Sequence, residues 1–139
     1  MSNEILDIRR AFEKSLLALD PSFQTAYENT SFEPTKGTPY QSVRLIPNDP
    51  ENPTYGDLFR RESGTFQVFL CYDLHKGTND SYYKASQIQD FYHRGKSLVE
   101  GTTEVVILGT PKIAGAIKAD DRYIVPVLIE YYSNINKSI

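Results

Sequence analysis

The chain has no tryptophan, one cysteine, one methionine and two histidines in 139 residues. A lone cysteine, Cys71, rules out an internal disulfide. The two histidines, His75 and His93, stand far apart, one after a strand-like run and one at the end of a helix-like run. No cluster of imidazole, thiol and carboxylate ligands with metal-site spacing results. No apolar run approaches the ~20 residues of a membrane helix. The N-terminus, Met1-Ser2-Asn3-Glu4, lacks the basic and apolar regions of a secretory signal. A soluble protein made in a reducing compartment, with no membrane partner, is expected. Nor is there an excess of one charge. Fifteen Lys and Arg against eighteen Asp and Glu give −3, which predicts no broad nucleic-acid footprint but leaves room for a local basic lining.

Catalytic patterns are missing as well. No glycine loop follows a strand and opens a helix, and no Gly-x-Ser-x-Gly elbow occurs. Cys71 sits in an apolar strand beside Phe69, Leu70 and Tyr72, and reads as a buried, inert thiol. On an extended strand His75 lies roughly 13 Å further along, too far to activate it. Paired carboxylates occur at Asp120-Asp121 and at Asp49 and Glu51. Neighbouring acids can shift one another's pKa for acid–base work, but these lie in proline- or glycine-punctuated loops with no apolar pocket implied. The expectation is no enzyme: no catalytic residue, no cofactor site and no metal site.

What is present is one domain's worth of chain, 1–139, with ten tyrosines and seven phenylalanines as the large side chains. Asn3 to Leu19 has the helical period, with Ile5, Ile8, Phe12, Leu16 and Leu19 on one stripe, widened by Leu6 and Leu17. Ser2 or Asn3 caps its start, and Asp20-Pro21 stops it. Thr25–Asn29 is a weak short strand. Tyr40–Ile46 and Phe66–Leu74 alternate like strands. A second helix runs from a cap among Thr78, Asn79 and Asp80 to about Arg94, with Tyr82, Ala85, Ile88, Phe91 and Tyr92 inward and Gly95 as its left-handed stop. Leu98–Glu100 and Thr103–Leu108 form a hairpin around Gly101-Thr102. Thr110–Asp121 is an extended connection. Arg122–Tyr132 is the last strand, and its Pro126 predicts an edge position or a bulge. The tail 133–139 is expected to fray. The fold class is α+β: a mainly antiparallel sheet with two helices packed on one face.

The most distinctive stretch lies between the Tyr40 and Phe66 strands. It holds Pro47, Asp49, Pro50, Glu51, Pro53, Tyr55, Asp57, Phe59, Arg60, Arg61 and Glu62. It is far longer than the usual hairpin loop of about two to five residues. It is too polar for core and too rich in proline for a floppy linker. We therefore expect a long ordered arm over about 47–63, with Ser63-Gly64 as a turn. Arg60 and Arg61 with Tyr55 and Phe59 form the best basic-aromatic cluster. It suits acids on a neighbouring subunit. A plain solvated loop and a phosphate or base contact are the alternatives. The expected interface residues are Asp49, Tyr55, Asp57, Phe59, Arg60, Arg61 and Glu62.

Blocks along nearly the whole chain resemble a known family. Asn3–Glu13 looks like its opening helix and Gly37-Thr38-Pro39-Tyr40-Gln41 its next block. Pro47, Asp49-Pro50, Asn52-Pro53-Thr54 and Gly64-Thr65-Phe66-Gln67-Val68 follow in order. Phe91, Arg94-Gly95, Thr110-Pro111 and Asp121–Val127 close the match. The family is that of phage tail terminators, similar in architecture to the lambdoid minor tail protein U. The resemblance implies a homo-oligomer, a hexameric ring that caps the tail tube, stops its polymerisation and joins the head connector. The implied partners are the tail tube protein and the head–tail connector protein, with DNA only passing through the ring lumen. The implied location is the virion tail, assembled in the bacterial host cytoplasm. The resemblance carries across no catalytic residue. A small ligand- or peptide-binding module using the tyrosine-rich sheet is the alternative function.

Overall fold

The computed structural model describes residues 4–28, 30–33, 38–54, 56, 59–74, 79–119 and 122–136. Its first element, α1 (Glu4–Leu19), buries Ile8, Ala11, Phe12 and Leu16. Ile5, expected on the inward stripe, and Leu6 and Leu17, expected to widen it, are exposed instead. Beyond α1, the Asp20 carboxylate accepts from the Ser22 amide and hydroxyl, closing a turn that Pro21 forces out of the helix.

β1 (Gln24–Ala26) runs parallel to β2 (Tyr40–Pro47), and β2 runs antiparallel to β3 (Phe59–Asp73). After α2 (Asn79–Phe91) come β4 (Ser97–Glu100), β5 (Thr103–Ile107), β6 (Lys112–Ile113), β7 (Ile117–Ala119) and β8 (Arg122–Asn136). They make one curled sheet in the order β1-β2-β3-β8-β5-β4, with β6 and β7 also paired to β8. The α+β class holds, with one parallel pair in an otherwise antiparallel sheet. α2 ends at Phe91, short of the expected Arg94. Gly95 (φ +86°) is not its stop but lies in the turn that the Lys96 amide closes on the His93 carbonyl. Gly101 (φ +61°) turns the β4–β5 hairpin, and both glycines sit in the region that favours them.

Period-two alternation sorts the central strands into two faces. Phe66, Val68 and Leu70 on β3 oppose Ile129, Val127 and Val125 on β8, and all six are buried. Both helices cover this face. Phe12 stacks on Phe66 at 4.5 Å, and Tyr131 and Tyr92 pack edge-on or tilted around it. Ala85, Ile88 and Tyr92 complete the cluster from the α2 segment. Lys84, 6% exposed, sends its ammonium to Asp20 at 2.9 Å across the Phe23 ring. That pair ties α2 to the end of α1.

Further expectations are corrected. β3 begins at Phe59, not Phe66, so Phe59–Gly64 is strand and not arm. Gly64 is no turn residue. A Cβ there would meet the Ile46 carbonyl and lie 2.8 Å from the Tyr131 hydroxyl, so glycine permits a close strand-to-strand approach. The tail does not fray over 133–136. These residues extend β8, with Ser133 and Ile135 buried, while 137–139 lie outside the described residues. Finally, Pro126 is not at an edge, because β8 has β3 on one side and β5, β6 and β7 on the other. The break falls on the facing chain. Four steps from Ile113 to Ile117 oppose three from Val127 to Ile124, and the Ala114 amide donates to the Pro126 carbonyl at 2.9 Å. Proline's missing donor thus faces an irregular segment that does not require it. The expected connection 110–121 itself contains β6 and β7.

Candidate assembly surface

β3 and β8 pair over fifteen positions, from Phe59 opposite Asn136 to Asp73 opposite Arg122. β2 reaches only Pro47 opposite Gly64. The far end of the ribbon, 59–63 with 132–136, therefore projects past β2. The chain leaving β2 follows it. The Asn48 amide donates to the Ser63 carbonyl, and Glu51 and Arg61 exchange two backbone hydrogen bonds of 2.9 Å. This lacing holds Asp49, which is exposed, beside the ribbon.

Alternation splits the arginine pair. Arg60 and Glu62 fall on the helix-bearing face, and Phe59 and Arg61 on the other. Arg60 Nε donates to Glu62 Oε1 at 2.9 Å, and its Nη2 lies 3.4 Å from Glu4 Oε2 on α1. All three side chains are at least three-quarters covered. Below them Tyr131 is buried, and its phenol is pushed up to about 12, first by burial and then by the Glu62 charge. On the opposite face Arg61 Nε donates to Asn134 Oδ1 at 2.8 Å, and the guanidinium lies 4.9 Å above the Tyr132 ring. Phe59 is half-buried across from Asn136. Tyr55 and Asp57 lie outside the described residues.

The structure thus brings Arg60 together with Glu62 and Arg61 with the end of β8, on separate faces. Sequence reading missed Glu4, Tyr132 and Asn134 as their partners. The alternation Arg60-x-Glu62 was the available local signal; nothing local points from residue 61 to residue 134. The arginines already have acids or amides on their own chain, so this end is a neutralised, ordered surface rather than a cationic one.

Other candidate chemistry is dispersed. Burial raises the Cys71 thiol, which makes the nucleophilic thiolate scarcer. His93 is exposed and touches the Arg94 carbonyl. His75, Asp120 and Asp121 lie outside the described residues. Among the described residues no three His, Cys, Asp or Glu side chains gather as a metal site, and no helix is long and apolar enough to cross a membrane.

The profile of the phage tail terminator protein family matches residues 7–131. The chain belongs to that family. That membership supports a structural role in phage tails. The fold of the family member is similar to a solved chain with a TM-score of 0.74 and 24% identity, covering 91% of this chain and 92% of that one. At that identity the likeness speaks for the fold alone. No curated protein matches the chain at a significant level.

Proposed function

We propose that the protein, a single terminator domain over 1–139, forms a closed ring that caps the tail tube, stops tube polymerisation and joins the head connector. Membership of the tail terminator family over residues 7–131 carries this reading. The ring is a homo-oligomer, hexameric by resemblance, and DNA only passes through its lumen. Assembly takes place in the host cytoplasm, and the product is the virion tail. The protein acts by shape and contact and has no catalytic step.

Two physical features support self-association. The sheet ends in two short strands, β1 and β4, at opposite ends of the strand order, and such edges need cover. The projecting ribbon end offers ordered, mixed-charge residues, namely Asp49, Phe59, Arg60, Arg61 and Glu62, joined in sequence by Tyr55 and Asp57. We assign this end to the subunit or tube interface. A heterologous contact that closes on itself gives a ring.

The experiment is sedimentation at high protein concentration, with and without purified tail tubes, paired with electron microscopy of tails made without the protein. Closed oligomers in at least one condition, and overgrown tubes in its absence, are expected. A protein monomeric in both conditions, with tails of normal length in its absence, overturns the reading.

A further inference from the structure

α1 has a second surface that its own fold leaves open. Leu6, Arg10, Glu13 and Leu17 follow helical spacing on its outer side, and Leu6 and Leu17 are 38% and 46% exposed. Arg10, Glu13, Lys14, Leu17 and Tyr27 line a groove of about 260 Å³ there. Its walls are the Leu17 side chain and the Tyr27 ring, and its rim is charged. Lys14 is engaged with Glu100 at 2.9 Å. Arg10 makes no ion pair among the described residues. Burial holds the Glu13 carboxyl above its ordinary range, against the pull of Arg9.

α2 carries the complementary relief. Tyr83, Gln87 and Asp90 share its outward stripe at steps of four and three. Tyr83 is the most exposed of the large hydrophobic side chains among the described residues, at 76%. Gln87 and Asp90 are exposed, and Asp90 makes no ion pair among the described residues. The spacings match. Tyr83 to Asp90 is seven residues, and Leu17 back to Arg10 is seven residues, each roughly 10 Å along a helix.

We infer that the outer groove of α1 receives the α2 stripe of a second copy of this chain, antiparallel, with Tyr83 on Leu17 and Tyr27, and Asp90 on Arg10. In that register Gln87 lies opposite Glu13, and its amide donates to a partly buried carboxylate that has no hydrogen-bond donor among the described residues. The exposed tyrosine leaves water for an apolar seat, which makes it the anchor. The charge pair sets register and direction. The contact rests on the self-association proposed above and names its surfaces.

The test uses full-length chains. Arg10→Asp and Asp90→Arg each place like charges across the contact. Each is expected to lower self-association by roughly tenfold or more in sedimentation, with and without tail tubes, without moving the melting temperature of the monomer. Mixed in equal amounts, the two variants present opposite charges to one another, and association returns. Tyr83→Ala weakens association by roughly thirtyfold. Unsubstituted protein that never associates overturns the ring reading and this contact together. Rings that form and ignore these substitutions overturn only the contact. Self-association that is intact in Tyr83→Ala without tubes, with binding to tail tubes lost, assigns Tyr83 to a tail or connector protein and overturns the copy-to-copy seat.

Discussion

Phe66 and Arg60 stand six residues apart on β3, on the same face and in the same ladder with β8. Phe66 is 1% exposed and stacked on Phe12. Arg60 is held by Glu62 and Glu4 at the projecting end. The backbone pairing is the same at both ends, so hydrogen bonds do not distinguish them. What differs is the area removed from water. At the Phe66 end two helices lie over the sheet, and burial of apolar side chains supplies the driving force. At the Arg60 end the helix layer has thinned to the first turn of α1, and paired charges replace apolar contacts. Pairs covered to that degree give up hydration as they gain attraction, so their net contribution is small beside apolar burial. One strand therefore serves stability at one end and presentation of a surface at the other.

The comparison can be tested at graded points along the ribbon. The largest effect is expected at the core end: Phe66→Ala should cost about 3–5 kcal/mol by chemical denaturation, losing assembly only through unfolding. A cost below about 1 kcal/mol would show that the stacked pair is not central. At the boundary, Gly64→Ala forces a methyl against the Ile46 carbonyl and the Tyr131 hydroxyl. About 1–3 kcal/mol is expected, with a lowered melting temperature as the readout.

Near the core end, Asp20→Asn leaves the Lys84 ammonium without its partner. A fully buried broken pair costs several kcal/mol, but Asp20 is one-third exposed, so about 1–2 kcal/mol is expected. The pH dependence has a definite sign. The Lys84 and then the Ser22 hydrogen bonds hold the Asp20 carboxyl below its ordinary 3.8. Its contribution is thus full above that value and lost as pH falls through the lowered folded value. The unsubstituted protein should lose more stability than Asp20→Asn between pH 5 and pH 2. Equal acid limbs in the two denaturation series would remove the pair from this account.

The smallest effect on stability is expected at the projecting end. Arg61→Ala should change it by no more than about 1 kcal/mol while impairing tail completion. Replacing 52–58 with a short glycine-serine link should likewise leave the fold intact, since closure entropy varies slowly with loop length. Loss of folding in either variant would make the ribbon end a folding element and erase the contrast.

Much of the core end was legible in the sequence. Ile8, Phe12 and Leu16 announced α1, and the alternation around Val43 and around Phe66–Leu70 announced the faces of β2 and β3. These patterns are local, because side-chain direction repeats within each element. The projecting end was misread for a physical reason. Phe59–Gly64 carries charges and a glycine, which look like loop when strand is inferred from apolar alternation. Only its fifteen-residue partner makes it strand. The same partner explains Ser133–Asn136, whose polar residues alternate with Ile135 and the buried Ser133. Of the proposed interface residues, the sequence located Asp49, Phe59, Arg60, Arg61 and Glu62 near one another in the chain, but not that Arg60 and Arg61 point to opposite faces.

By itself the sequence determined the class of fold, the family and most of the inward stripes, because periodicity, turn chemistry and ordered motif blocks are properties of neighbouring residues. Tertiary structure alone decided that β8 is central, that Pro126 faces a break in its neighbour, and that Gly64 lets two strands close over Tyr131. It also decided which apolar residues of α1 stay outside. Those outcomes depend on which distant segments pair, and pairing is set by the total burial of the assembled sheet and helices rather than by any one stretch of chain.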